Sequence, residues 1–266
     1  MPELPEVETI RRQLSEKILG QAIVGVEVHR ERCYIGIKKL RGERIKSIKR
    51  TGKYLFILFE SQHGLVVHLK MTGRLVYDVD FYETAPHTRV VLTLGEGHKL
   101  YFWDVRTFGY IKYEEKIEEI FEKQSARIGQ EPWQMTTDEF YTLCQKYKRP
   151  IKNLILDQGL VGGVGNIYAN DGLWEAGIDP RRGANTLSKK EAKLLLMGLC
   201  KVMERGLITG GASDNSYVNA LGQKGKYQEE FRVYKRTGQA CLACGNKIER
   251  VVVGGRGSFV CIKCQK

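Results

Sequence analysis

The sequence predicts an α+β chain laid out in sections: an antiparallel β half, a helical half and a short cysteine-rich tail. Three observations carry this. To about residue 115 apolar and polar residues alternate at the period of strands, and from about 116 the period lengthens to that of amphipathic helices. Four of the seven cysteines then crowd into the last 26 residues. A length of 266 residues accommodates two domains and a small appendage, with boundaries expected at 1–115, 116–228 and 229–266.

The chain opens MPELPEVETI, an acidic start for a protein of formal net charge +12. Pro5 suits the head of a helix, where a missing N–H is no loss, and Glu6 and Glu8 complement the positive end of its dipole. Pro2 and Glu3 are left over by that reading. KYLFILFE, GLVVHLKM, HTRVVLTL and KLYFWDV follow as strands divided by glycine or charged turns, the pattern of an antiparallel sandwich or barrel. In FWDVRTFG a strand-like run ends with Arg106 and Phe108, two apart and so on one side of a strand. Such a pair on an exposed edge can enter a base stack; a core phenylalanine beside a surface arginine is the simpler reading of the pair alone.

In the helical half, TTDEFYTLCQKYK carries a capping box, Thr136 to Glu139, with Phe140, Leu143, Cys144 and Tyr147 on one face. SKKEAKLLLMGLCKVMERG repeats the device with Ser188 and Glu191 and is predicted to end at Gly206. Between them, PIKNLILDQ and NIYANDGLWEAG read as short helices joined by GLVGGVG. This glycine cluster is no dinucleotide fingerprint, because the third glycine is missing and a helical pattern precedes it. Asn166 is expected as the N-cap of the second helix. A glycine turn at a helix N-terminus suits one phosphate, and equally a tight turn between helices. TGGASDNS then reads as a loop.

In the tail, Cys241, Cys244, Cys261 and Cys264 are spaced C-x2-C-x16-C-x2-C, two knuckles that close a tetrahedral site around one Zn²⁺. Disulfides or a redox pair fit poorly with two matched knuckles in a chain read as cytoplasmic. Four cysteine ligands leave no open position, so the zinc is structural. Cys33, Cys144 and Cys200 stand singly and read as buried, inert thiols. Between the knuckles, VVVGGRGSF is a hairpin whose glycine turn presents Arg256. From Leu221 to Lys266 ten Lys/Arg face three Asp/Glu, which favours a phosphate-facing hairpin over a plain solvated turn.

Lys and Arg outnumber Asp and Glu by 43 to 31, which favours a polyanionic partner. No apolar run approaches the ~18 residues of a membrane span, and the N-terminus lacks the pattern of a signal peptide. A cytoplasmic location with no membrane partner is expected.

MPELPEVE, the Gly-Gly-Val-Gly-Asn turn and the terminal four-cysteine ribbon enclosing Gly-Arg-Gly together resemble the bacterial formamidopyrimidine-DNA glycosylases, over the whole of Met1 to Lys266. The resemblance implies an N-terminal β-sandwich with a long first helix, a helix–two-turns–helix domain and a zinc ribbon. It implies a monomer that removes oxidised purines from duplex DNA and then cuts the strand. Its partner is double-stranded DNA holding a damaged base or abasic site, and no cofactor besides zinc takes part.

By the same resemblance Pro2 is the nucleophile, Glu3 the acid and Lys53 a lysine of phosphate contact and strand cleavage. Met71, Arg106 and Phe108 fill the gap left by the flipped nucleotide. Lys152, Asn166 and Arg256 hold phosphates around it, Arg256 within the active site, and His87 makes a further DNA contact. The loop holding Asp214 and Asn215 closes over the extruded base in relatives, where a basic residue is common; the segment HRERCYIGIKKL is shorter than usual.

This gives Pro2 a physical reading. Removal of Met1 leaves a free secondary amine, and an α-amino group titrates near ~8 against ~10.4 for lysine, so roughly a tenth of it is neutral at pH 7. It is the better amine for forming an imine at neutral pH. Three rival readings are a relative acting on oxidised pyrimidines, a non-catalytic module for damaged DNA, and a zinc-ribbon transcription or RNA factor. PELPEVE argues against the first, intact Pro2, Glu3 and Lys53 against the second, and the third explains only the tail.

Overall fold

The computed structural model describes residues 1–29, 34–214 and 216–266; the expectations for Cys33 and Asn215 lie outside the described residues. The chain divides into two compact units, Met1–Ala126 with Leu207–Gln228, and Arg127–Gly206 with Glu229–Lys266. Residues 207–228 thus group with the N-terminal section, although the sequence placed them with the helices that precede them.

In the first unit helix α1 (Leu4–Ile18) precedes strands β1 (Ile23–Val28), β2 (Tyr34–Ile35), β3 (Ile45–Thr51), β4 (Tyr54–Phe59), β5 (Gly64–His68) and β6 (Arg74–Tyr77). The short helix α2 (Phe81–Thr84), strands β7 (Thr88–Leu94), β8 (Lys99–Trp103) and β9 (Tyr110–Glu114), and helix α3 (Ile117–Ser125) follow. Two sheets result, ordered β2-β9-β5-β4-β3 and β1-β7-β8-β6. Pairing is antiparallel except for β2, which runs parallel to β9.

Leu55, Ile57 and Phe59 of β4 share one core with Leu75, Val90, Leu92 and Phe102 of the other sheet and with Val7, Ile10 and Leu14 of α1. The intervening Phe56 and Leu58 pack with Ile117 of α3. A strand covered on both faces is apolar throughout, which explains YLFILF. Each such side chain withdrawn from water contributes about 1.5–3 kcal/mol, more than an exposed ion pair, so the sandwich stands on this core.

The strand expected to carry Arg106 and Phe108 stops at Trp103, and residues 104–109 form a loop. The Asp104 carboxylate accepts the Arg106 and Gly109 N–H groups, at 3.2 and 2.8 Å. These donors are thereby taken by a side chain, which curls the backbone off the sheet.

The second unit holds α4 (Thr137–Gln145), α5 (Ile151–Ile155), α6 (Asn166–Glu175), α7 (Lys189–Ile208), and a hairpin of β10 (Glu249–Val253) and β11 (Arg256–Val260). Both capping boxes form: Glu139 accepts from Thr136 N at 2.7 Å, and Glu191 from Ser188 N at 2.8 Å. Helix α7 runs through Gly206, its expected end, to Ile208. Any Cβ at Gly206 would collide with the Tyr168 phenol, so this glycine serves close packing and not a cap. Among the described residues no helix is long and apolar enough to cross a membrane.

Candidate functional site

In the first unit, Pro2 and Glu3 are buried at the head of α1 while Met1 is exposed. Glu3 is the N-cap, and its N–H donates to Glu6 Oε2 at 2.7 Å. The other oxygen of the buried Glu6 carboxylate accepts from Ala212 N at 2.8 Å. One carboxylate therefore fixes the Pro2–Glu3 head and lashes the 210–217 loop to it. Gly211, at φ 90°, passes so close that a Cβ would press on Glu6. Tyr217 closes the loop, its hydroxyl donating to Gly210 O at 3.1 Å. Sequence reasoning gave Glu6 only a helix-dipole role; the signal for more was its i+3 spacing from Glu3.

Lys53 lies in the two-residue turn between β3 and β4, where Thr51 pairs with Tyr54 and Gly52 takes φ 53°. The turn is tied to α1 by a pair that sequence reasoning missed. Arg50 donates through Nε to Glu8 at 3.0 Å and through a terminal nitrogen to Gly52 O at 2.9 Å. Burial pushes the Glu8 carboxyl up, but Arg11, Arg12 and Arg50 around it win and bring it down to about 2.

Near Lys53 lies His68, also missed, with Tyr54 edge-on at 4.5 Å and Tyr110 at 5.9 Å. Burial, then the Lys70 and Lys53 charges, hold its imidazole down at about 3, so it is neutral at pH 7. Its Nδ1 accepts from Lys70 N at 2.9 Å. Being neutral, it leaves the two ammonium groups as the local positive charge.

Met71, Arg106 and Phe108 come together as the sequence implied, but from two loops. The Arg106 guanidinium lies 4.7 Å from the Phe108 ring centre and 3.1 Å from Met71 Sδ. Met71 and Phe108 keep 44% and 54% of their surface exposed, so the group is a protruding apolar tip backed by a cation. His87 is exposed with φ 81°, its ring edge-on to Trp103 and its Nδ1 3.0 Å from an Arg89 nitrogen.

The second unit gathers the remaining residues around α6 and the hairpin. Val253 pairs with Arg256 across Gly254 and Gly255, both left-handed, and Arg256 points to solvent at the tip. Asn166 is not the N-cap: Gly165 holds that place, and the Asn166 amide donates to Gly257 O at 3.2 Å. The glycine there leaves the asparagine side chain free to reach the hairpin.

Lys152, expected on phosphates, is instead fully buried. Its ammonium donates to Gly257 O, Ser258 Oγ and Asn170 Oδ1 at 2.9, 2.7 and 3.3 Å. It holds the hairpin from beneath. Asn170 also accepts from Phe259 N at 2.8 Å, and Asp171 from Val233 and Tyr234 N at 3.0 and 3.1 Å. Helix α6 is thus a row of polar pins for the tail.

The four tail cysteines place their sulfurs within 4.8 Å of one another. Tetrahedral zinc at ~2.3 Å from each sulfur sets sulfurs roughly 3.8 Å apart; Cys241–Cys264 and Cys244–Cys261 stand at 3.9 and 3.4 Å. Burial pushes the Cys241 thiol up, but N–H donors from Ala243 and Trp174 outweigh it and favour the thiolate a metal needs. The donor set fits one structural zinc ion. Cys144, by contrast, is pushed up to about 12 by burial, an inert thiol as expected, and burial raises Cys200 too.

Comparison with known proteins agrees with this anatomy. Residues 1–111 match the family model for the formamidopyrimidine-DNA glycosylase N-terminal domain, 128–217 the H2TH domain of the same glycosylases, and 238–266 a zinc finger found in FPG and IleRS. The chain is 39% identical to a formamidopyrimidine-DNA glycosylase of Desulfitobacterium hafniense over all of both chains. It is 41% identical to that of Moorella thermoacetica over 94% of each. The crystal structure of the Thermus thermophilus MutM (Fpg) protein superposes with a TM-score of 0.89 at 39% identity, covering 99% of this chain and 98% of that one. A Lactococcus lactis Fpg bound to DNA containing an abasic site does so at 0.90 and 34%, covering 99% of each. The chain belongs to the formamidopyrimidine-DNA glycosylase family.

Proposed function

We propose that this protein is a DNA glycosylase and abasic-site lyase that removes oxidised purines, 8-oxoguanine and formamidopyrimidines, from duplex DNA. The observation that carries this is the buried Pro2–Glu3 head, whose Glu6 carboxylate closes the capping box of the helix and also accepts from Ala212 N, a second bond that capping a helix does not require. The family membership and the relatives solved with damaged DNA support it.

The damaged nucleotide leaves the stack, at least cost where pairing is already poor. Met71, Arg106 and Phe108 enter the space it vacates. With Met1 removed, the Pro2 nitrogen bonds to C1′ of the deoxyribose as the glycosidic bond breaks, and the base leaves with that electron pair and takes a proton. Glu3 protonates the ring oxygen, which opens the sugar to an iminium on Pro2. Loss of a C2′ proton expels the 3′ phosphate, and a second elimination expels the 5′ phosphate. Lys53, beside neutral His68, and Arg256 and Asn166 at the hairpin bind the flanking phosphates. The zinc ion keeps the hairpin folded and takes no part in the bond changes.

Borohydride reduces an iminium to a stable amine, so lesion-bearing duplex should become covalently trapped on the protein. A chain whose Pro2 nitrogen stays acylated should trap none; equal trapping by both removes Pro2 as nucleophile. A panel of duplexes with 8-oxoguanine, formamidopyrimidine or thymine glycol reads the lesion class, and fastest excision of thymine glycol would overturn the purine assignment.

A further inference from the structure

The gap-filling tip is built from two loops that share no strand. One is the tight turn that brings Gly73 N to Leu69 O at 2.9 Å and carries Met71; the other is the 104–109 loop carrying Arg106 and Phe108. A single buried carboxylate joins them. Asp104 is fully buried, with one oxygen accepting from the Thr72 hydroxyl and from Arg106 N, the latter at 3.2 Å. Its other oxygen accepts from Gly109 N at 2.8 Å. Arg106 N is shared with Thr72 Oγ1 at 3.3 Å, so hydroxyl, carboxylate and N–H form a closed triangle across the two loops.

The backbone around this triangle is strained. Lys70 and Thr107 take φ 51° and 53°, left-handed values that are especially unfavourable for β-branched threonine. Such conformations persist where surrounding bonds over-determine them. Gly109 adds a second constraint, since a Cβ there would press on the Phe102 ring and the Asp104 carboxylate. Neither loop has regular structure to fix it, and the bonds to Asp104 supply what a sheet ladder would.

We infer that Asp104, with Thr72, is a positioning latch that holds Met71 in register with Arg106 and Phe108, and that it sets discrimination between damaged and intact duplex. Without the latch the three side chains still exist but arrive separately, and ordering them falls on the binding step. Phosphate contacts made elsewhere are untouched, so affinity for intact DNA stays. This rests on the proposed function, in which the tip fills an emptied base position.

The test compares binding of two duplexes, one with a stable abasic-site analogue and one intact, at fixed salt, by the wild-type chain and three variants. Losing a buried acceptor costs enough that Asp104→Asn and Thr72→Val should each bind the abasic-analogue duplex about 10- to 100-fold less tightly. Affinity for intact duplex should be unchanged, which also shows the variants are folded. Thr72→Ser retains the hydroxyl and should keep the wild-type preference, a rescue that loss of packing alone would not give. A wild-type preference retained by both Asp104→Asn and Thr72→Val overturns the latch alone. A wild-type chain with no preference removes the proposed function and the latch with it.

Discussion

Arg106 lays its guanidinium over the Phe108 ring, 4.7 Å from its centre, while the same group reaches Met71. The cation–π contact and the sulfur contact exist before any DNA arrives. A preassembled tip loses less freedom on binding than three independent side chains would.

Truncating the ring should therefore affect opening of the duplex more than the chemistry. Stacking of a base on an aromatic side chain is worth about 1–3 kcal/mol. Phe108→Ala should slow excision of a lesion from duplex by about 10- to 100-fold, with borohydride trapping on a preformed abasic site much less affected. Single-turnover rates on the two substrates read the difference.

Arg256 is exposed at a two-glycine turn, so its side chain can be truncated without disturbing a packed core. Arg256→Ala should weaken binding to an abasic-analogue duplex and lower the slope of log K against log salt by about one. An unchanged slope would show that the guanidinium meets no phosphate.

Acid should destabilise the first unit in a defined window. The His68 imidazole is held at about 3 against an ordinary 6.5. Its neutral form is thus favoured by folding, so the stability it contributes is complete above pH 6.5 and falls as pH drops towards 3. Glu8, held at about 2 against 4.5, adds a second loss between those values. Melting temperature followed from pH 7 to 3 should fall steadily, and His68→Phe should flatten the upper part of that fall while leaving the lower.

Removing zinc should act on the second unit first. A strong chelator takes the ion from four thiolates that, left without it, repel one another. The hairpin should then lose its register and Arg256 its placement, with DNA affinity falling before the sandwich melts. Parallel titrations of thiol reactivity, DNA binding and sandwich unfolding give the order of events; simultaneous loss of all three would contradict it.

Much of this was legible in residue order. Alternation marked the strands, the capping boxes marked α4 and α7, and the C-x2-C spacing marked the metal centre, because each is a local rule. What escaped depends on partners distant along the chain. Glu6 needed Ala212, Arg50 needed Glu8, and His68 needed Tyr54 and Tyr110. The misreadings share a cause. FWDVRTFG has a strand's spacing, but Asp104 captures the N–H groups that pairing would use. Asn166 has a capping residue's chemistry, but Gly257 competes for its amide. Lys152 carries a phosphate ligand's charge, yet the fold turns it inward.

That inward lysine ties two equilibria together. With the hairpin seated, its ammonium is satisfied by Gly257, Ser258 and Asn170; with the hairpin undone, the charge would be stranded in an apolar interior unless α5 opened to water. Metal occupancy and helix stability are then reciprocal, as linkage requires. A substitution that firms up α5 or α6 should tighten zinc, and an ion held by four sulfurs sets how firmly a lysine it never touches stays enclosed.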